Sequence, residues 1–212
     1  MNRVIYGAAA AAFLACSPFV PAKPLPRALP ADDPSDLSPG AIIREINLAR
    51  QNPHLYAEFV AESRPLHQIE HGRAVDEAVR FLKHAKPLPP LSLSAGMSRA
   101  AADHCAEQAD GQTGHFGNGN SSPGDRINRY GTWGISYGEN ISYGERSART
   151  IVLQLIIDDG VQSRGHRKNI FNPKFTTAGV AYGPHARYRT VCTADFAGSY
   201  AERSSELVAG NN

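Results

Sequence analysis

The chain has 212 residues, 42% of them hydrophobic and 20% charged, with a formal net charge of +2. Ordinary globular usage of this kind argues against a disordered or membrane-embedded chain, and the length suits one core of about 150 residues with extensions. A charge so near neutrality, with no run of lysine or arginine, leaves no basic stripe, so no nucleic-acid partner is expected.

Met1-Asn2-Arg3, the apolar stretch from Val4 to Leu14 and the small residues before a cut after Ala22 read as a secretory signal peptide over 1–22. The apolar run is shorter than the roughly 20 residues a bilayer-spanning helix needs. No transmembrane segment is therefore expected, and the product is read as secreted, extracellular or periplasmic. Cys16 raises lipidation as an alternative, which Phe13-Leu14-Ala15 fits poorly. Seven of the fifteen prolines lie between Pro18 and Pro39, so 23–39 reads as an extended linker. The domain is placed at 40–200 and a polar tail at 201–212.

Ser38-Pro39 offers a helix cap and a proline at the first helical position, and Ile42, Ile43, Ile46 and Ala49 follow at helical spacing. This helix ends near Asn52-Pro53. A second helical stretch carries Tyr56, Phe59 and Val60, and a third carries Val75, Val79 and Leu82, stopping before the prolines from Pro87 to Pro90. Ser94 can cap a fourth, whose Met97, Ala101, His104, Cys105 and Gln108 share one side. From Gly111 to Gly138 the chain is rich in Gly, Asn and Ser and reads as a long irregular segment, the kind of loop that binds something. Ala148 to Asp159 is apolar nearly all round, as in a helix buried between layers. Thr177 to Tyr182 and Tyr188 to Phe196 read as two strands joined by a turn at Gly183-Pro184-His185, with Cys192, Ala194 and Phe196 on one face of the second. Once the leader is removed, Cys105 and Cys192 remain, and an oxidising compartment favours a disulfide between them over two buried free thiols.

Three clusters set titratable side chains among glycines: Gly114-His115-Phe116, Gly138-Glu139-Asn140-Ile141, and Ser163-Arg164-Gly165-His166-Arg167-Lys168-Asn169-Ile170. Two imidazoles and a carboxylate converging from separate loops suit zinc or another divalent metal, or acid–base work. The plainer reading makes the histidines hydrogen-bonded loop residues and pairs Glu139 with Arg126, Arg164 or Arg167. A rival motif, His67-Gln68-Ile69-Glu70-His71, spells the H-x-x-E-H of inverted zinc peptidases, but a five-residue match arises easily by chance. The glycosylation patterns at Asn120 and Asn140 matter only in a host that uses them, and Asn140 is expected to be buried. There is no G-x-S-x-G elbow, P-loop or dinucleotide fingerprint.

In their order, with the apolar helix between the second and third clusters, these motifs resemble the bacterial branch of the CAP family of cysteine-rich secretory proteins (SCP domains). Asn172-Pro173, Gly179-Val180 and Asp195-Phe196-Ala197 fit the family's closing strands, and the likeness covers roughly Ile42 to Tyr200. The resemblance implies an α/β fold, a three-layer α-β-α sandwich in a single domain, with a cleft lined by two histidines and two acids. His115, Glu139 and His166 match, with His115 and His166 as the metal ligands. Animal members carry a glutamate on the helix before the second histidine loop, where this chain has only Asp158 and Asp159; Asp159 is taken into the cleft set. The expected function is an extracellular binding or interaction module with a cleft able to hold a divalent metal, and, by family analogy, a lipid or an unidentified surface partner. The competing expectation is a metal-dependent hydrolase of peptides or cell-wall material that uses Glu139 as base.

Overall fold

The structure is a computed structural model that describes residues 35–63 and 72–203. The leader, most of the linker, the His67–His71 motif and the tail beyond residue 203 lie outside the described residues.

Helix α1 (Pro39–Gln51) starts as its sequence dictates, with the Ser38 Oγ accepting the Ala41 N–H at 3.2 Å and Pro39 occupying the first turn. Its stripe of Ile42, Ile43, Ile46 and Ala49 is buried. Helices α2 (Pro53–Glu62) and α3 (Gly72–His84) follow, then the short strand β1 (Ser92–Leu93) and helix α4 (Ala95–Glu107), capped by Ser94. Helix α5 (Pro123–Tyr130) leads into strand β2 (Gly131–Tyr143). Helices α6 (Ala148–Ile157) and α7 (Gly165–Ile170) precede the hairpin of β3 (Thr177–His185) and β4 (Arg189–Glu202).

The four strands lie in the order β1-β3-β4-β2, with β1 parallel to β3 and the other two pairings antiparallel. Because side chains alternate along a strand, β4 feeds two cores. Cys192, Ala194 and Phe196 face a large core with Ile42, Ile46, Tyr56, Val75, Leu82, Ile151 and Ile156 from α1, α2, α3 and α6. Val191 and Ala197 face α4 and α5, packing with Ala101, Cys105 and Ile141 in one cluster and with Met97, Ala100 and Ile127 in another. The result is the α-β-α sandwich expected from the sequence. Gly179 permits its closest approach: a Cβ there would sit 2.1 Å from the Met97 carbonyl carbon, so a side chain would push α4 off β3.

Three expectations need correction. The irregular segment is shorter than Gly111–Gly138, because Ser122-Pro123-Gly124-Asp125 is a capping box that starts α5, and the glycines beyond it are accommodated in β2. The domain runs past residue 200, since β4 extends to Glu202, whose carboxylate accepts from Ser94 Oγ at 2.6 Å and from the Gly96 N–H at 2.9 Å at the start of α4. The Cys105–Cys192 bridge is absent, and both thiols are free and buried. Cys105 lies on the α4 side of the sheet, 3.5 Å from Thr193 Oγ1, whereas Cys192, one residue earlier on β4, points through to the opposite core. One register step on a strand reverses the face, so the sheet itself separates the two sulfurs. Burial raises the pKa of both thiols.

Candidate functional site

A cleft of about 330 Å³ opens along the edge strand β2, with Ile141 and Tyr143 from that strand, Leu155 near the end of α6, and His115, Asp158 and His166 on its walls. It draws together all three sequence clusters.

His115 sits on the segment after α4, where Gly114 takes a φ of +106° that an L side chain rarely adopts. This turn is held from two sides: buried His104 on α4 lies with Nε2 2.9 Å from the Gly114 carbonyl, and the Gly114 N–H donates to Tyr143 Oη at 3.2 Å. His115 then places Nδ1 2.8 Å from Glu139 Oε1, while its ring stays half exposed. Glu139 projects from β2 toward α5, where Arg126 donates to its other oxygen at 2.6 Å and to the His115 carbonyl at 3.0 Å. Both Glu139 and Arg126 are buried. Glu139 is therefore the ion-pair partner of the plainer reading, with Arg126 as its cation, and it stands behind His115 rather than on the cleft wall.

His166 stands on the opposite wall. Helix α6 ends at Asp158, which takes the left-handed conformation that short polar side chains tolerate. From there its carboxylate accepts from His166 Nδ1 at 2.7 Å, the His166 N–H at 2.9 Å and the Arg167 N–H at 3.3 Å, so one residue closes α6 and fixes the start of α7. The acid that pairs with His166 is thus Asp158. Asp159, chosen from the sequence, is exposed at the rim of the same cleft. Arg164 and Arg167 turn away from the cleft: both bind Glu77 of α3, and Arg167 donates to the Ile156 and Ile157 carbonyls at the end of α6. Asn140, fully buried as expected, donates to the His166 carbonyl at 3.0 Å and accepts from Asn169 at 2.9 Å, locking β2 to α7.

Each histidine therefore spends Nδ1 on a buried carboxylate and makes no hydrogen bond through Nε2 among the described residues. A carboxylate behind an imidazole fixes its orientation and tautomer, as behind metal-bound or basic histidines. The donor set fits a divalent ion only in part. Among the described residues no group of three His, Cys, Asp or Glu side chains could hold a metal, so this is not the closed four-ligand set of a structural zinc site. Nor does Glu139 suit the role of base, because its side chain is 1% exposed and both oxygens already accept hydrogen bonds.

The sequence offered Arg126 only as one of three candidate partners of Glu139, and gave Asn169 and Asp195 no role in the site. The signal for Asp195 was present, as an acid amid the apolar residues of a central strand. Asp195 is fully buried in β4 directly across from Glu139.

The model of the cysteine-rich secretory protein (CAP) family matches residues 43–196. The uncharacterized protein YkwD of Bacillus subtilis (strain 168) is 30% identical over 113 residues, or 52% of this chain and 41% of its own length, so the chain spans less than half of that relative. An extracellular protein containing an SCP domain from Bacillus anthracis str. Ames is 24% identical, with 57% of this chain and 37% of that one aligned at a TM-score of 0.42. An outer surface protein from Borrelia burgdorferi is 13% identical over 61% of this chain and 90% of its own, at a TM-score of 0.43.

Proposed function

We propose, from the premise that this chain belongs to the cysteine-rich secretory protein (CAP) family, that it is an extracellular binding module whose cleft takes a small polar or anionic ligand between His115 and His166. The observation that supports this most directly is the pair of carboxylate-anchored imidazoles, at 2.8 and 2.7 Å, on two walls of one cleft. Ile141, Leu155 and Tyr143 add an apolar flank. A volume of about 330 Å³ is at the lower end for small-molecule sites, so a lipid would engage the cleft through its head group and leave its chains outside. A divalent ion would be held by His115 and His166 and would supply positive charge and open coordination positions, with its other ligands drawn from water or the bound molecule. No helix among the described residues is long and apolar enough to cross a membrane, which is compatible with the exported location proposed here.

Calorimetric titration of zinc into the protein, beside a His115→Ala/His166→Ala variant shown to be folded, tests this reading. Saturable binding near one equivalent that disappears in the variant is expected. Equal binding by both proteins would remove the histidines from the site, and no binding by the wild type would leave a metal-free cleft to be tested with anionic head groups. The same two dyads also support a hydrolytic reading in which His115 or His166, rather than Glu139, is the base. Turnover of peptides or wall fragments that vanishes in the double variant would establish it.

A further inference from the structure

Beneath His115 lies a second carboxyl that the cleft does not use. Glu139 and Asp195 are directly opposed in the antiparallel register of β2 and β4, so their side chains leave the same face of the sheet with Cβ atoms about 5 Å apart. Asp195 is fully buried, and neither of its carboxyl oxygens receives a hydrogen bond from any N–H or O–H donor among the described residues. The Glu139 carboxyl lies within hydrogen-bonding reach of it.

Two carboxylates carry no hydrogen and cannot bond to one another; the approach is a bond only if one of them holds a proton. Glu139 already accepts from His115 Nδ1 and from Arg126 Nη2. Asp195 has no such donor. The titratable groups facing the pair are Arg126 from α5, His104 and Cys105 from α4, His115 from the segment after it, Tyr143 from β2 and Tyr200 further along β4, while β3 places Gly179 opposite Asp195. The one guanidinium in this set is committed to Glu139 and to the carbonyls of Ser121 and His115. Two anions cannot share such a dry space with that single partner.

We infer that Asp195 is a neutral carboxylic acid whose O–H donates to Glu139 under the His115 wall of the cleft. Burial and the Glu139 charge both push Asp195 well above the ordinary carboxylate range, in keeping with this geometry. Asp195 is then a positioning residue. With this third donor in place Glu139 stays oriented, and His115 keeps its Nδ1 on that carboxyl. This inference concerns the protonation of the pair and holds whatever the cleft binds.

Infrared spectroscopy of the full-length protein at neutral pH, where ordinary Asp and Glu carry no proton, tests it. The carbonyl stretch of one protonated carboxyl is expected in the wild type and its loss in Asp195→Asn, whose amide can still donate to Glu139. No such band in the wild type, or a band that persists in the variant, would overturn the assignment. If Asp195→Asn does not fold, the carboxyl carbons of 13C-aspartate-labelled wild type decide the matter: one aspartate should keep the chemical shift of the protonated acid up to pH 7, and the ionised shift at every aspartate at pH 7 overturns the proposal. A folded variant gives a second check. Unfolded Asp releases its proton near pH 4, whereas folded Asp195 keeps it. The wild type should therefore lose stability relative to Asp195→Asn by up to about tenfold in unfolding constant per pH unit above that point, until folded Asp195 ionises; a constant ratio across that range overturns it.

Discussion

His166 owes its place to an acid eight residues earlier, at the left-handed end of α6. Asp158 makes three hydrogen bonds there, two to the backbone and one to the imidazole, while holding a φ of 55°. Asparagine tolerates that conformation and keeps an acceptor; alanine does neither. Asp158→Asn is expected to cost about 1 kcal/mol and Asp158→Ala about 2 to 3 kcal/mol in urea denaturation, since bonds to a charged acceptor are worth about 1.5 to 3 kcal/mol. Both should weaken whatever binding is lost in the histidine double variant, and the alanine change should do so more. That His115 and His166 would face one cleft, with Glu139 beside His115, was legible in the order of the motifs. The choice of Asp158 over Asp159 was not, because adjacent residues at a helix end differ in direction only once the backbone turns.

The elements carry a second ion-pair system that holds the α7 segment from behind. Glu77 on α3 bridges Arg164 and Arg167 at 2.7 and 2.9 Å, and the hydrogen bond from Arg164, joined by that from Arg167, lowers its pKa to about 2. A depressed carboxylate adds stability that is present above its unfolded value of 4.5 and is lost as pH falls toward 2. Glu77 is 40% exposed, so screening keeps its contribution below about 1 kcal/mol. The melting temperature of Glu77→Gln should fall below that of wild type at pH 7, and the gap should close between about pH 4.5 and pH 2. Helices α1, α4 and α6 were readable from caps and apolar spacing because those signals lie within a few residues of each other. Helix α5 was hidden in a Gly- and Asn-rich stretch, where composition outweighed the Ser122–Asp125 capping box.

At the scale of the molecule, the sheet is a partition. It assigns Cys105 to one core and Cys192 to the other, so stability rests on packing of two apolar layers and not on a cross-link. Reductant is expected to leave the melting temperature unchanged, and both thiols should alkylate after denaturation without prior reduction; a shift of several degrees with reductant would reveal a bridge. The family, the starts of α1 and α4, the β-hairpin and the two cleft histidines were legible along the chain, because each is encoded by local spacing or by motifs in a set order. The fold alone settles that Asp158 anchors His166, that Arg126 rather than Arg164 or Arg167 pairs with Glu139, that Asp195 lies across from it, and that the cysteines stand apart. Those outcomes depend on strand register and on which face of a shared sheet each side chain leaves, and residues tens of positions apart meet there without any trace of the meeting in their own neighbourhoods.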